Sequence, residues 1–391
     1  MTALDGTVSK NRFTIIRYAL AVFLFWASMY LYVPTLPIYI REKVSTLSMA
    51  GVILSMYGLW QGGVRFPLGI LADKIGKRKP FVIIGFMFSA AGAILMAKAH
   101  GATGLLVGRA VTGLAAGSWV TLVVMFSALY PSGESMRAST IINTVNSAGM
   151  LAASITTGWL NNLGGYSLAF YAATGLAAAG ALMIIPGKEA PAPAANTSLQ
   201  DIRHLVLRRE VLLSSLLGAL AQYAVWATAF SFIPLLARQL GAADVTQSML
   251  LSMNIAIIML GNLTATYLVR YFGALRLIAP SFVLMSAGIA IAALARSLGF
   301  VFAAQVCTGF ALGINFPLLM GWSIKSVREE QRSTAMGFFQ AVYAAGMFCG
   351  PWLSGLLAEA SSIQGMFGIT AALCLAAGLV GSRRLSKKAP N

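Results

Sequence analysis

Gly69-Ile70-Leu71-Ala72-Asp73-Lys74-Ile75-Gly76-Lys77-Arg78-Lys79-Pro80 is a short, glycine-bent, basic turn with a single acid, set between two apolar runs. A helix rises ~1.5 Å per residue, so ~20 apolar residues cross the ~30 Å of hydrocarbon in a bilayer. Each flanking run is that long. The stretch therefore reads as a tight loop pinned at one membrane face. Of the 391 residues, 58% are hydrophobic and only 10% charged, against about 25% charged in an average soluble domain. A soluble fold with so little charge would lack a surface, so lipid must act as the solvent.

Working outward from the loop, twelve apolar spans are expected, at 13–38, 47–72, 80–98, 103–128, 138–161, 165–186, 211–237, 246–272, 275–296, 299–322, 333–358 and 363–382. The fold class is an all-α polytopic membrane protein. With both termini on one side, that side collects 21 of the 28 lysines and arginines, the other side five, and two (Arg65 and Arg109) fall within spans. Positive charge marks the cytoplasmic side, so both termini are expected there. The net charge of +17 sits in these loops, not on one soluble face, and nucleic acid is not the expected partner. Cys307, Cys349 and Cys374 all lie in apolar runs without metal-ligand spacing, and read as buried small hydrophobes. No metal and no cofactor is expected. The polar stretch Met1 to Arg12 does not have the pattern of a removable signal peptide.

The longest polar interval, 187–210, contains the Pro/Ala run from Pro191 to Ala195 and reads as a flexible cytoplasmic linker. It divides the chain into six-span halves, 1–186 and 211–391. The halves repeat. Leu36-Pro37 with Arg41 falls on Ile233-Pro234 with Arg238, and Gly76 on Gly273, at an offset of 197. Arg109, Thr112, Gly113 and Gly117 fall on Gln305, Thr308, Gly309 and Gly313 at 196, and Glu134 with Arg137 on Glu329 with Arg332 at 195. A nearly constant offset through loops and spans predicts two pseudo-symmetric six-helix bundles around a central site, a standard architecture for a secondary transporter.

The residues now carry a family resemblance. Gly69-x-Leu71-Ala72-Asp73-Lys74-x-Gly76-Lys77-Arg78-Lys79, between spans two and three, resembles the signature loop of the major facilitator superfamily, and Arg109-x-x-x-Gly113 resembles that family's second motif. The resemblance implies two bundles that rock to expose a central cavity to alternate sides. It also implies that Asp73 meets the start of span eleven, where Ser333 and Thr334 are good N-cap residues. Asp73, Lys77 and Arg78 then form a conformational latch, with Gly69 and Gly76 allowing close helix approach and a tight turn. The drug-efflux branch often carries Gly-x-x-x-Gly-Pro-x-x-Gly-Gly in span five. Here span five has Gly149 and Gly158 without the Gly-Pro pair, and a closer version, Gly346-x-x-x-Gly350-Pro351-x-x-x-Gly355, lies in span eleven.

Glu134 with Arg137, and Glu329 with Arg332, are spaced i, i+3. A cross-gate pair and a solvated loop pair are equal alternatives for each. Arg65 and Arg109 differ, because a membrane-buried arginine costs at least ~2.5–3.5 kcal/mol and cannot shed its proton. Arg109 is expected to face inward; for Arg65, bonding to nearby carbonyls competes with solute contact. All eleven carboxylates and both histidines, His100 and His204, map to loops or span ends. The fixed interior charge is therefore cationic, and the expected solute is small, organic, and anionic or zwitterionic. Proton coupling would have to use a gate acid or the solute's own ionisation. Trp26, Tyr30, Asn146, Tyr223, Trp226, Asn254, Asn315, Gln340 and Tyr343 lie inside spans and are candidates for the cavity wall, with helix packing as the alternative for each. A membrane enzyme would need a nucleophile, metal set or acid-base pair at one face, and no such cluster is present in the sequence. The expectation is a monomeric carrier in the cytoplasmic membrane, working by alternating access. Efflux is implied by the family resemblance, with uptake or exchange of an organic anion as the alternative.

Overall fold

Hydrocarbon offers no water to a backbone N–H or C=O, so a chain of apolar spans must pair those groups within each span, as helices do. The computed structural model of the protein describes residues 2–131, 134–186, 205, 207–328 and 331–386. Within these, the side chains of residues 2–11, 66, 70, 73, 135, 136 and 333 are outside the description. The 187–210 linker lies largely outside the described residues, as does Glu329.

The described residues form twelve helical passes. They are α1 (Thr2–Tyr30, extended by Leu36–Lys43), α2 (Leu47–Ile75), α3 (Lys79–Ala97) and α4 (Ala102–Gly117 with Trp119–Ser127). The continuous stretch Ser135–Ile184 holds α5 and α6, parted at Gly164 and Gly165. The second half has α7 (Arg209–Ala227, continued through Thr228–Phe232 to Ile233–Gln239), α8 (Asp244–Phe272), α9 (Ala274–Ala293), α10 (Leu298–Lys325), α11 (Arg332–Ala360) and α12 (Ile363–Ser386).

Three spans expected as single helices are interrupted. Span 13–38 breaks after Tyr30, because Pro34 and Pro37 each lack an N–H donor. Its counterpart in the repeat, span 211–237, widens to a π turn over Thr228–Phe232 just before Pro234, at the matching place in the second half. Span 103–128 bends at Ser118, whose hydroxyl bonds back to the Ala115 carbonyl. The signature loop turns as expected: Gly76 caps α2 at φ 70°, a left-handed geometry that favours glycine.

The repeat is legible in the packing. Gly149 of α5 abuts the Phe23 carbonyl of α1, and Gly346 of α11 abuts Ala219 of α7. Gly113 of α4 abuts the Tyr57 carbonyl of α2, and Gly309 of α10 abuts that of Asn254 in α8. The halves also meet through two copies of one contact. Gly158 of α5 lies on Asp244 and Val245 of α8, while Gly355 of α11 lies on Leu47 and Gly51 of α2. Small residues let backbones approach this closely, which supplies the packing that drives helix association in lipid.

Candidate functional site

The two contacts between halves lie at the face away from the termini, here called the outer face. On one, the Gly158 N–H donates to Ser248 Oγ at 2.7 Å and the Asn161 amide to Asp244 Oδ2 at 2.9 Å. Arg238 holds the other Asp244 oxygen at 3.3 Å. On the second contact, the Leu47 and Ser48 N–H groups at the start of α2 donate to Glu359 Oε2 at 2.5 and 3.4 Å. A carboxylate is well placed at a helix N-terminus, where free N–H groups and the helix dipole both favour it.

The α2–α11 contact runs inward through Gly58, where a Cβ would come within 2.7 Å of Met347, and Gly62, within 2.7 Å of Ala344. It reaches Arg65, which donates to Gln340 Oε1 at 3.2 Å and to the Tyr343 hydroxyl. A Cβ at Gly63, Gly69 or Gly337 would meet nothing within 4 Å. Gly69 thus makes no close helix approach, contrary to expectation; those approaches lie at Gly51, Gly58 and Gly62 instead. The halves meet at the outer face and, further in, at Arg65.

Between these regions sits a cluster of rings shared by both halves. Trp26 and Tyr30 of α1 are 6.0 Å apart, Trp119 of α4 meets Trp26 edge-on at 5.2 Å, and Tyr30 meets Phe230 of α7 edge-on at 6.2 Å. Trp226 of α7 stacks on Phe230 at 4.8 Å and on Tyr57 of α2 at 5.2 Å. Arg109 completes the cluster, 3% exposed, with its guanidinium carbon 4.4 Å from the Tyr57 ring centroid. Its Nε has no hydrogen-bond partner, and Tyr30, Tyr32 and Tyr57 are its electrostatic neighbours. The ring face of Tyr57 offsets part of the cost of burying this cation.

The other candidates divide. Asn254 donates to the backbone and side chain of Gln305 at 2.9 and 3.2 Å, a bond within the second half. Asn315 is fully buried with neither amide atom partnered, and Asn146 Oδ1 is likewise unpaired. Tyr223 lies outside the ring cluster, lining an apolar groove of about 480 Å³ with Leu213, Leu217, Cys349, Val380 and Arg384. Arg137 pairs with Glu134 at 2.9 Å within one turn, exposed on both partners, so this pair does not cross the gate. Arg332 and Lys77 are exposed, Arg78 is half-buried, and the Asp73 side chain is outside the described residues. Among the described residues no group of histidines, cysteines and carboxylates is arranged to hold a metal.

The sequence reading did not single out Tyr57, Trp119 and Phe230, nor the outer-face set Asn161, Asp244, Ser248 and Glu359. The repeat carried a signal for two of them: Tyr57 and Gly51 fall on Asn254 and Ser248 at the offset of 197.

The family model of the Major Facilitator Superfamily matches residues 18–235 and 215–391. Multidrug resistance protein MdtH of Aeromonas hydrophila subsp. hydrophila is 25% identical over 328 residues, covering 81% of this chain and 80% of its own. Multidrug resistance protein MdtL of Klebsiella pneumoniae (strain 342) is 24% identical over 356 residues, covering 89% of each chain. Among solved structures, the nucleoside transporter NupG superposes with a TM-score of 0.76 at 18% identity, covering 96% of this chain and 100% of its own. A bacterial homolog of the human lysosomal transporter Spinster, inward-facing and unoccupied, superposes with a TM-score of 0.80 at 13% identity, covering 97% and 99%. At these identities the structures speak to the fold alone.

Proposed function

We propose that this chain, which belongs to the Major Facilitator Superfamily, moves a small organic solute across the cytoplasmic membrane by alternating access. It is a multi-pass membrane transporter. The bodies that rock are residues 1–186 and 211–391, joined by the cytoplasmic linker 187–210, with both termini cytoplasmic and the carrier acting as a monomer. One observation carries the reading: the halves touch through the outer seams, the ring cluster and Arg65, while a Cβ at Gly69 or Gly337, nearer the termini, would meet nothing within 4 Å. A solute entering from the terminal side would meet Arg65, Tyr343 and then the rings. It would be released on the other side once the Asp244 and Glu359 bonds break.

The interior charge sets the solute class. Arg109 and Arg65 are buried cations, and no carboxylate sits at midspan to balance a cationic drug. The solute is therefore anionic or zwitterionic. Efflux is the favoured direction because the relatives named above are multidrug resistance proteins. Uptake or exchange of an organic anion is the second reading, favoured by the same buried arginines. If protons are coupled, the acids at hand are the gate carboxylates.

The test is solute flux in proteoliposomes, comparing organic anions with permanent cations and the native protein with Arg109→Ala. Flux of anions that collapses in the variant supports the carrier reading. Full flux in the variant, or a preference for permanent cations, removes Arg109 from the route.

A further inference from the structure

We propose that the groove between α7, α11 and α12 holds an anionic phospholipid from the leaflet on the terminal side, one acyl chain in the groove and the phosphate on Arg384 and Arg209. The inference goes beyond the carrier reading and does not depend on which solute is carried. The groove has a volume of about 480 Å³, and every residue along it belongs to α7, α11 or α12. No residue of the first half and none of the ring cluster lines it. It is therefore no part of the passage between the halves.

Its depth and its side opening fit one acyl chain. Along α7 the wall runs from Leu213 to Tyr223, ~15 Å of helix. That is half of the ~30 Å hydrocarbon core, the depth of a single leaflet. Leu216 of α7 and Val380 of α12 line the groove and are each 51% exposed. This much apolar wall, at membrane depth, is left for the bilayer to cover.

The headgroup follows from the end of the groove. Arg384, near the C-terminus of α12, lines it and is exposed. Arg209, the first residue of α7, donates to the Arg384 carbonyl at 3.2 Å, which brings a second guanidinium to the same end. The neighbouring groups are engaged elsewhere: Arg208 donates to the Ser326 carbonyl at 3.2 Å, and Glu210 accepts from the Ser326 hydroxyl. Among the described residues no carboxylate pairs with Arg209 or Arg384. Guanidinium groups take a phosphate through paired N–H donors. A free anion would use the arginines and leave the groove empty, and an apolar solute would do the reverse. A phospholipid uses both, in the order in which the structure presents them.

The experiment is native mass spectrometry of the purified, delipidated full-length protein, titrated with phosphatidylglycerol, with phosphatidylcholine of the same acyl chains, and with glycerol phosphate as the headgroup alone. The first phosphatidylglycerol is expected to bind at least roughly tenfold more tightly than phosphatidylcholine, since each cation near an anionic headgroup contributes about fivefold. Arg384→Gln should weaken phosphatidylglycerol by about fivefold and leave phosphatidylcholine unchanged, and Arg384→Lys should restore most of the loss. Ala345→Phe, which fills the groove from an exposed position on α11, should remove the tightest site for phosphatidylglycerol. Arg270→Gln removes an exposed cation at the end of α8, outside the groove, and should change nothing. Ligand-free melting of each variant reports whether it folds. Equal affinity for the two lipids overturns the inference, as does a headgroup preference that survives loss of both Arg384 and Arg209. Glycerol phosphate binding as tightly as the lipid would make this a site for free anions, and an equal loss in Arg270→Gln would make the attraction diffuse; either overturns it. A dimer that Ala345→Phe dissolves gives the groove to a second copy and overturns it too. If solute is carried into proteoliposomes while the lipids bind alike, the inference fails and the carrier reading stands. If phosphatidylglycerol binds as expected and no solute is carried, the reverse holds.

Discussion

Replacing Gly58 by alanine adds one methyl group at the place where α2 and α11 press together. The new Cβ would stand 2.7 Å from the Met347 carbonyl carbon and 2.7 Å from the Phe348 nitrogen. Ordinary carbon contacts begin at about 3.5 Å, so the backbones must separate by somewhat under ~1 Å. Overpacking of this kind costs ~1–3 kcal/mol. The cost falls on the arrangement in which the outer seam is shut, so the ratio of outer-open to outer-closed molecules should rise by about 5- to 150-fold. Gly63→Ala is the matched control: it lies in the same helix, has the same gain in helix propensity, and meets nothing within 4 Å. The assay is pulsed electron spin resonance between labels at His100→Cys and Ser297→Cys, both exposed at the outer ends of the two halves, after Cys307, Cys349 and Cys374 are replaced. Gly58→Ala should populate a longer distance and Gly63→Ala should not. A distribution indifferent to Gly58→Ala, or moved equally by both, refutes the reasoning.

The same label pair reads the polar seam. Asp244→Asn keeps an acceptor for Asn161 and should open the outer face less than Asp244→Ala, which leaves a buried amide short of a partner at ~1–3 kcal/mol. Arg65→Ala and Gln340→Ala should be non-additive, with a coupling of ~0.5–3 kcal/mol in thermal melts, because they share one bond between halves; strict additivity would show that the bond contributes nothing. Glu134→Ala should change stability by no more than ~1 kcal/mol and leave flux intact, since the pair it removes is exposed and local. A large loss of flux would return that residue to the gate.

The fold was legible because its signals are local and repeated: apolar runs of bilayer length, a basic loop ended by a left-handed glycine, and a second half at a fixed offset. Proline placement could also have announced the breaks near Pro34 and Pro234. The site was legible in part. A buried arginine is costly wherever it lies, so Arg109 and Arg65 stood out from sequence alone. What Arg65 touches did not, since Gln340 and Tyr343 are 275 and 278 positions away and meet it only once the halves pack. Asp244 and Glu359 read as loop acids because hydropathy places them at span ends, and it is docking of the other half that gives them partners. Tyr223 and Trp226 looked equivalent as aromatics of one span. Tyr223 goes to a side groove and Trp226 to the central ring cluster, although three positions on a helix leave side chains only about 60° apart and ~4.5 Å along the axis, so what neighbours α7 at each point decides between them.

The two seams at the outer face descend from one contact but are not made of the same material. Gly51 in the first half corresponds to Ser248 in the second, and Leu47 to Asp244. The α2–α11 seam is a joint of glycine and backbone through its middle, responsive to volume, with the Glu359 carboxylate at its outer end and the Arg65 guanidinium at its inner end. The α5–α8 seam is a polar joint of serine, asparagine and aspartate, held by hydrogen bonds. One ancestral contact has thus come to resist change in two ways, the first seam by the room it lacks and the second by the polar partners it holds.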